Sequence, residues 1–266
     1  MSDVAADRVG VARGALLGGG AGPRARFAAG ALTIVLLVIA AWEATILFGS
    51  IEQPELTIGM DFGIYMDRTR DWLAGQGFYL PYQLAGPYAV FDSAPPPALY
   101  PPPILLITVP FALGVPALLW WGIPLAVIAA SLRGAPWWAW PLLAALLVYP
   151  RTWIALLYGN PSLWAFAALS AGLGLIGAIK PTLLPFALVG FRSVRWRRFA
   201  FLAVVLALIF LPMWPDYITA LRNARAPWIG DAGLVGEWPI AAVLVVVTHS
   251  SRRLPAQVRH ESHGGE

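Results

Sequence analysis

Residues Phe27–Gly49 read FAAGALTIVLLVIAAWEATILFG, twenty-three positions with a single charge, Glu43. A bilayer core needs about 20 mostly apolar residues per helix, and this stretch supplies them. A cleaved signal peptide has a shorter apolar region, usually 7–15 residues, so the segment reads as a retained anchor. The whole composition agrees. Of 266 residues 59% are hydrophobic and 12% charged, with mean hydropathy +0.68, whereas a soluble domain carries about 25% charge. A water-soluble globule and a disordered chain are thereby excluded. Eighteen Lys+Arg against 14 Asp+Glu give a net charge of +4, too small and scattered for a nucleic-acid partner. The absence of cysteine removes disulfides, thiolate metal sites and cysteine nucleophiles.

Five further apolar runs follow, at Ile104–Leu132, Pro136–Tyr149, Pro161–Ile179, Phe199–Trp214 and Trp238–Thr248. The reading is an all-α polytopic transmembrane bundle of about six spans over residues 27–249. Residues 1–26 and 250–266 are expected to form cytoplasmic tails, the first disordered. Arginines cluster at Arg24 and Arg26, at Arg192, Arg195, Arg197 and Arg198, and at Arg252 and Arg253. Between Ile51 and Pro101 the balance reverses, with six acids against two arginines. Because cytoplasmic loops collect Lys and Arg, both termini are placed in the cytoplasm of an inner (plasma) membrane protein. The acidic loop 51–101 then faces outward.

That loop is long for a connector, and long loops in compact proteins are often functional. Phe62, Tyr65, Met66, Thr69, Trp72 and Leu73 recur at three- and four-residue spacing, which predicts a short amphipathic helix lying in the membrane interface. Gly75-Gln76-Gly77 ends it, and six prolines between Ala94 and Pro103 impose extended chain. Asp61 precedes the helix and has two readings. It caps the first turn, or it is a general base whose pKa is raised by partial desolvation.

Three stretches of this loop resemble the first outer loop of glycosyltransferase family 87 of the GT-C superfamily. They are Gly59-Met60-Asp61-Phe62-Gly63-Ile64-Tyr65, Trp72-Leu73-Ala74-Gly75-Gln76-Gly77-Phe78-Tyr79, and Leu99-Tyr100-Pro101-Pro102-Pro103. Tyr158-Gly159-Asn160 is similar to the family's Gly-Gln-x-Asn turn without its glutamine. Ala178-Ile179-Lys180-Pro181 is similar to its Lys-Pro step before a basic loop. The resemblance covers about Phe27 to Arg198, in a chain shorter than usual members.

It implies transfer of a hexose, typically mannose, from a polyprenyl-phosphate donor to a hydroxyl of a lipid or glycan acceptor at the outer face. Displacement inverts the anomeric centre in one step. Asp61 is then the base, and Tyr65 and Asn160 are carried over from the motifs as substrate-binding residues. Lys180, the only lysine of the chain, and Arg151 are cation candidates for the leaving phosphate. Lys180 reads equally as a helix-end group reaching the lipid headgroups, and Arg151 as an interface anchor beside Trp153. Trp72, Tyr79 and Tyr82 are aromatic candidates for sugar contact, and Glu43 a second acid or a structural group. No cofactor or metal site is expected. The competing readings are a lipid or solute transporter and a scaffold subunit of envelope synthesis.

Overall fold

The computed structural model describes residues 22–49, 58–90, 95–174, 179–225 and 236–261. Asp92, Glu52, Glu55 and the tail before Gly22 lie outside the described residues. The chain is mostly helical. Helix α1 (Pro23–Gly49) takes in Arg24 and Arg26, so the helix starts before Phe27. It packs along α6 (Trp140–Val148) and leaves Phe27, Ile34, Val38 and Trp42 exposed.

Among the described residues α1 is the one unbroken helix long and apolar enough to cross a bilayer. Two more candidates are bent pairs. Trp137–Val148 meets Pro150–Tyr158 (α7) at 64°, and Val194–Ile209 (α10) meets Leu211–Asn223 at 66°. The lengths therefore give one span, or up to three, where six runs were expected. Proline and glycine account for the difference, since proline lacks the N–H a continuing helix needs. Ile104–Leu132 is split at Gly114–Pro116 into α4 (Leu105–Ala112) and α5 (Leu118–Ser131), and among the described residues of Pro161–Ile179 α8 (Ser162–Ala171) is the α-helix. At the other extreme, α12 runs from Trp238 to Glu261, past the expected stop at Thr248.

The amphipathic helix of the acidic loop is α2 (Met60–Leu73). Its apolar face is covered by the protein itself. Thr69 donates to Thr108 of α4 at 2.8 Å, and Tyr65 and Met66 are buried. On the exposed side Arg70 pairs with Asp67 at 3.0 Å, and Arg68, itself buried, pairs with Asp71 at 3.1 Å. Helix α3 (Pro81–Ala85) packs on α11 (Trp214–Asn223). Beside them β1 (Tyr88–Ala89) pairs in parallel with β2 (Ala224–Arg225).

Two cores result. The first, rich in aromatics, joins Tyr65, Phe78, Tyr79, Tyr100, Phe111, Trp120 and Tyr217 in a cap built on the acidic loop. The second is mostly aliphatic, with Leu146, Phe166, Leu169, Leu183, Ile240 and Leu244 drawn from α6, α8, α9 (Leu184–Ala187) with its lead-in turn, and α12. Each fully buried side chain of this size contributes about 1.5–3 kcal/mol.

Candidate functional site at the seam between the cores

Five segment ends meet where the cap sits on the helical bundle. Gly59 N donates to Leu157 O at 2.7 Å, which ties the start of α2 to the end of α7. Gly159 ends α7 at φ +65°, and a Cβ there would lie 2.7 Å from the Trp121 ring. Only glycine combines that backbone with that approach. The turn is held by Trp120 Nε1 donating to Gly159 O at 2.7 Å and Trp121 Nε1 to Leu156 O at 2.6 Å. It aims Asn160 and Ser162 at the cap.

Asn160 Nδ2 donates to Asp61 Oδ2 at 2.5 Å. Asn160 Oδ1 accepts from Tyr100 Oη at 2.7 Å and from the Ser162 backbone N–H at 2.9 Å. Ser162 Oγ, fully buried, lies 2.5 Å from Asn160 Oδ1, 2.8 Å from Glu237 Oε1 and 3.0 Å from Tyr100 Oη. Its single proton serves one acceptor at a time. Lys180 Nζ donates to Ser162 Oγ at 2.9 Å and to Glu237 Oε1 at 2.6 Å, and lies 5.6 Å from the Tyr100 ring centre. Glu237 Oε2 is buried and accepts no hydrogen bond among the described residues.

Asp61 is the second residue of α2, and Gly59 stands at the cap position with no side-chain cap bond. The capping reading is therefore not what the structure shows. Burial raises the Asp61 pKa above 3.8, a shift opposed by the Asn160 hydrogen bond and the Lys180 charge and reinforced by Glu237. Burial first, then the charge of Glu237, keeps Tyr100 a neutral hydroxyl. Tyr65 is held neutral likewise, by burial and then by Asp61. Its hydroxyl accepts from Leu99 N at 3.4 Å, and its ring meets Tyr100 edge-on at 5.2 Å.

Of the residues singled out in the sequence, Asp61, Asn160 and Lys180 come together, and Tyr65 lines the same wall. Trp72 packs near Phe210, Tyr79 is buried and donates to Tyr100 O at 2.9 Å, and Tyr82 donates to Pro95 O at 2.6 Å. These three hold the cap together. Among the described residues no hydrogen bond or ion pair joins Arg151 to the cluster, nor Glu43 on α1. Lys180 follows the apolar run Pro161–Ile179 in the sequence, and its Nζ lies beside Ser162, the first residue of α8.

Glu237 and Ser162 were missed, and Tyr100 was seen only as part of a motif. A signal for Glu237 existed, because a lone lysine among apolar neighbours requires a counter-ion. Glu237 directly precedes Trp238-Pro239 as Lys180 precedes Pro181. No group of three or more His, Asp or Glu side chains is gathered for a metal among the described residues. No protein-family profile, curated protein or solved structure matches the chain.

Proposed function

We propose that the chain is a multi-pass inner-membrane glycosyltransferase. It moves a hexose from a polyprenyl phosphate to an acceptor hydroxyl at the outer face, with Asp61 as the base. The observation that carries this reading is the hydrogen-bonded line Asp61–Asn160–Ser162–Lys180–Glu237. It gathers one proton acceptor and one cation through contacts that span 99, 18 and 57 residues of chain. The chemistry needs both: a base for the acceptor proton and positive charge for the departing phosphate. In the structure the Lys180 ammonium is engaged by Glu237, so the phosphate meets it by taking Glu237's place. Asn160 holds the Asp61 carboxylate in one orientation, and Tyr100 fixes Asn160.

The membrane arrangement in this reading rests on the two ends. Asp61 and Glu237 share one, Arg195 and Arg252 the other, and the arginine end faces the cytoplasm. Helix α1 crosses the bilayer, and the bent pairs Trp137–Tyr158 and Val194–Asn223 are the further crossings.

The test is incubation of purified protein with polyprenyl-phosphate mannose and an acceptor lipid, comparing wild type with Asp61→Asn. Turnover is expected to fall about 10²–10⁴-fold with the far-UV circular dichroism unchanged. Equal turnover in both removes Asp61 as base. No turnover in either leaves the transporter or scaffold reading.

A further inference from the structure

A cavity lies at the end of the molecule opposite the seam, lined by Gly174, Ser193, Arg195, Trp196, His249 and Arg252 among others. Its volume is about 270 Å³, near the lower end of small-ligand sites at about 300 Å³. Two guanidinium groups face it, and among the described residues neither pairs with a carboxylate. From Ser93 to Pro215 the chain contains no Asp or Glu at all. Nothing local neutralises Arg195.

The walls are built rather than incidental. Gly172, at φ +70°, has no side chain, so the Arg252 guanidinium lies against bare backbone and donates to Ser170 O. Trp196 Nε1 donates to Ala187 O at 2.6 Å, which fixes the indole across the opening. The cavity also receives the first turn of α10, whose N-terminal amides favour an anion. Arg195 and Arg252 line the same cavity, so their like charges repel. An anion between the two groups relieves that repulsion. Around the rim Leu188, Val189, Phe191 and Val194 are exposed, an apolar border continuous with the surface of the bundle.

We propose that this cavity is a binding site for a phosphate group, gripped by Arg195 and Arg252 over the start of α10. Its charge matches the headgroup phosphate of an anionic lipid or a soluble phosphate. The inference stands apart from the glycosyl-transfer reading and fails or survives independently of it.

The experiment uses the full chain in detergent, titrated with phosphatidylglycerol or phosphatidylcholine and followed by native mass spectrometry, with inorganic pyrophosphate in a third arm. One phosphatidylglycerol is expected to bind about tenfold more tightly than phosphatidylcholine. Arg195→Gln with Arg252→Gln abolishes the preference, and Arg133→Gln, outside the cavity, leaves it. Should the double variant misfold, Arg195→Gln alone, at an exposed position, still lowers the preference about threefold. Pyrophosphate binding without any lipid preference assigns the site to a soluble phosphate. Equal lipid binding with no pyrophosphate bound overturns the proposal, as does a preference that survives the substitutions in folded protein.

Discussion

The two ends of the molecule handle charge in opposite ways. At the seam below the cap, Lys180 and Glu237 are largely buried, at 22% and 14% side-chain exposure, and neutralise each other at 2.6 Å. At the far end Arg195 and Arg252 share a cavity that no acid enters among the described residues. A buried charge is tolerated only with a partner, whereas an exposed one is left to water and salt. The seam is thus an assembled constellation, complete in itself. The arginine end is half of an interaction.

The sharpest break of this contrast is the pH profile of turnover. If Asp61 is the base proposed above, it must be ionised to accept a proton, and burial raises its pKa above 3.8. The acid limb is therefore expected above the ordinary carboxylate range, with activity falling tenfold per unit below the folded pKa. The sign for stability is opposite. Between 3.8 and the raised value the folded state holds a proton that the unfolded state has lost, so folding is favoured as pH falls through that window. In Asp61→Asn this dependence disappears from detergent-unfolding curves.

Lys180→Met leaves Glu237 without its ion partner and is expected to cost about 3 kcal/mol, the low end for breaking a buried pair because both groups keep some solvent. The double change Lys180→Met with Glu237→Leu should cost less than the two single changes added together. Strict additivity in the unfolding curves would mean the pair is not coupled. Gly159→Ala probes the turn that presents Asn160. With a left-handed backbone and Trp121 at 2.7 Å, a loss of about 2 kcal/mol is expected, read as a lowered unfolding midpoint. Arg70→Ala closes the series. Its pair with Asp67 is more than half exposed on both sides, and the expected change is within about 0.5 kcal/mol. A larger loss there would mean that surface charge on α2 matters more than the seam suggests.

How much was legible depended on the range of the interaction. Helix α2 was readable because three- and four-residue spacing is local: Phe62–Ala74 was expected and Met60–Leu73 is found. What covers its inner face was not readable, since Thr69 meets Thr108 across 39 residues of chain. Lys180 stood out as the only lysine, set among apolar residues, Asp61 as the acid directly before the helix, and Asn160 only through its motif. Glu237 did not, because its reason for being there is Lys180, 57 residues away. Tyr79 and Tyr82 were legible as aromatics of the loop, but the backbone carbonyls that take their hydroxyl protons become visible only in three dimensions. The number of spans was overestimated for a related reason. Hydropathy counts apolar residues and is blind to Gly114, Pro116 and Pro150, where the helices break or bend.

The shortness of these helices has its own effect on the surroundings. At 1.5 Å per residue, α5 with 14 residues and α10 with 16 extend only about 21 and 24 Å, against a hydrocarbon slab of about 30 Å. Both expose apolar flanks, Leu118 and Ile123 on one, Phe201 and Leu208 on the other. Set in a bilayer, flanks of that length would be matched by a locally thinned sheet of lipid around the protein.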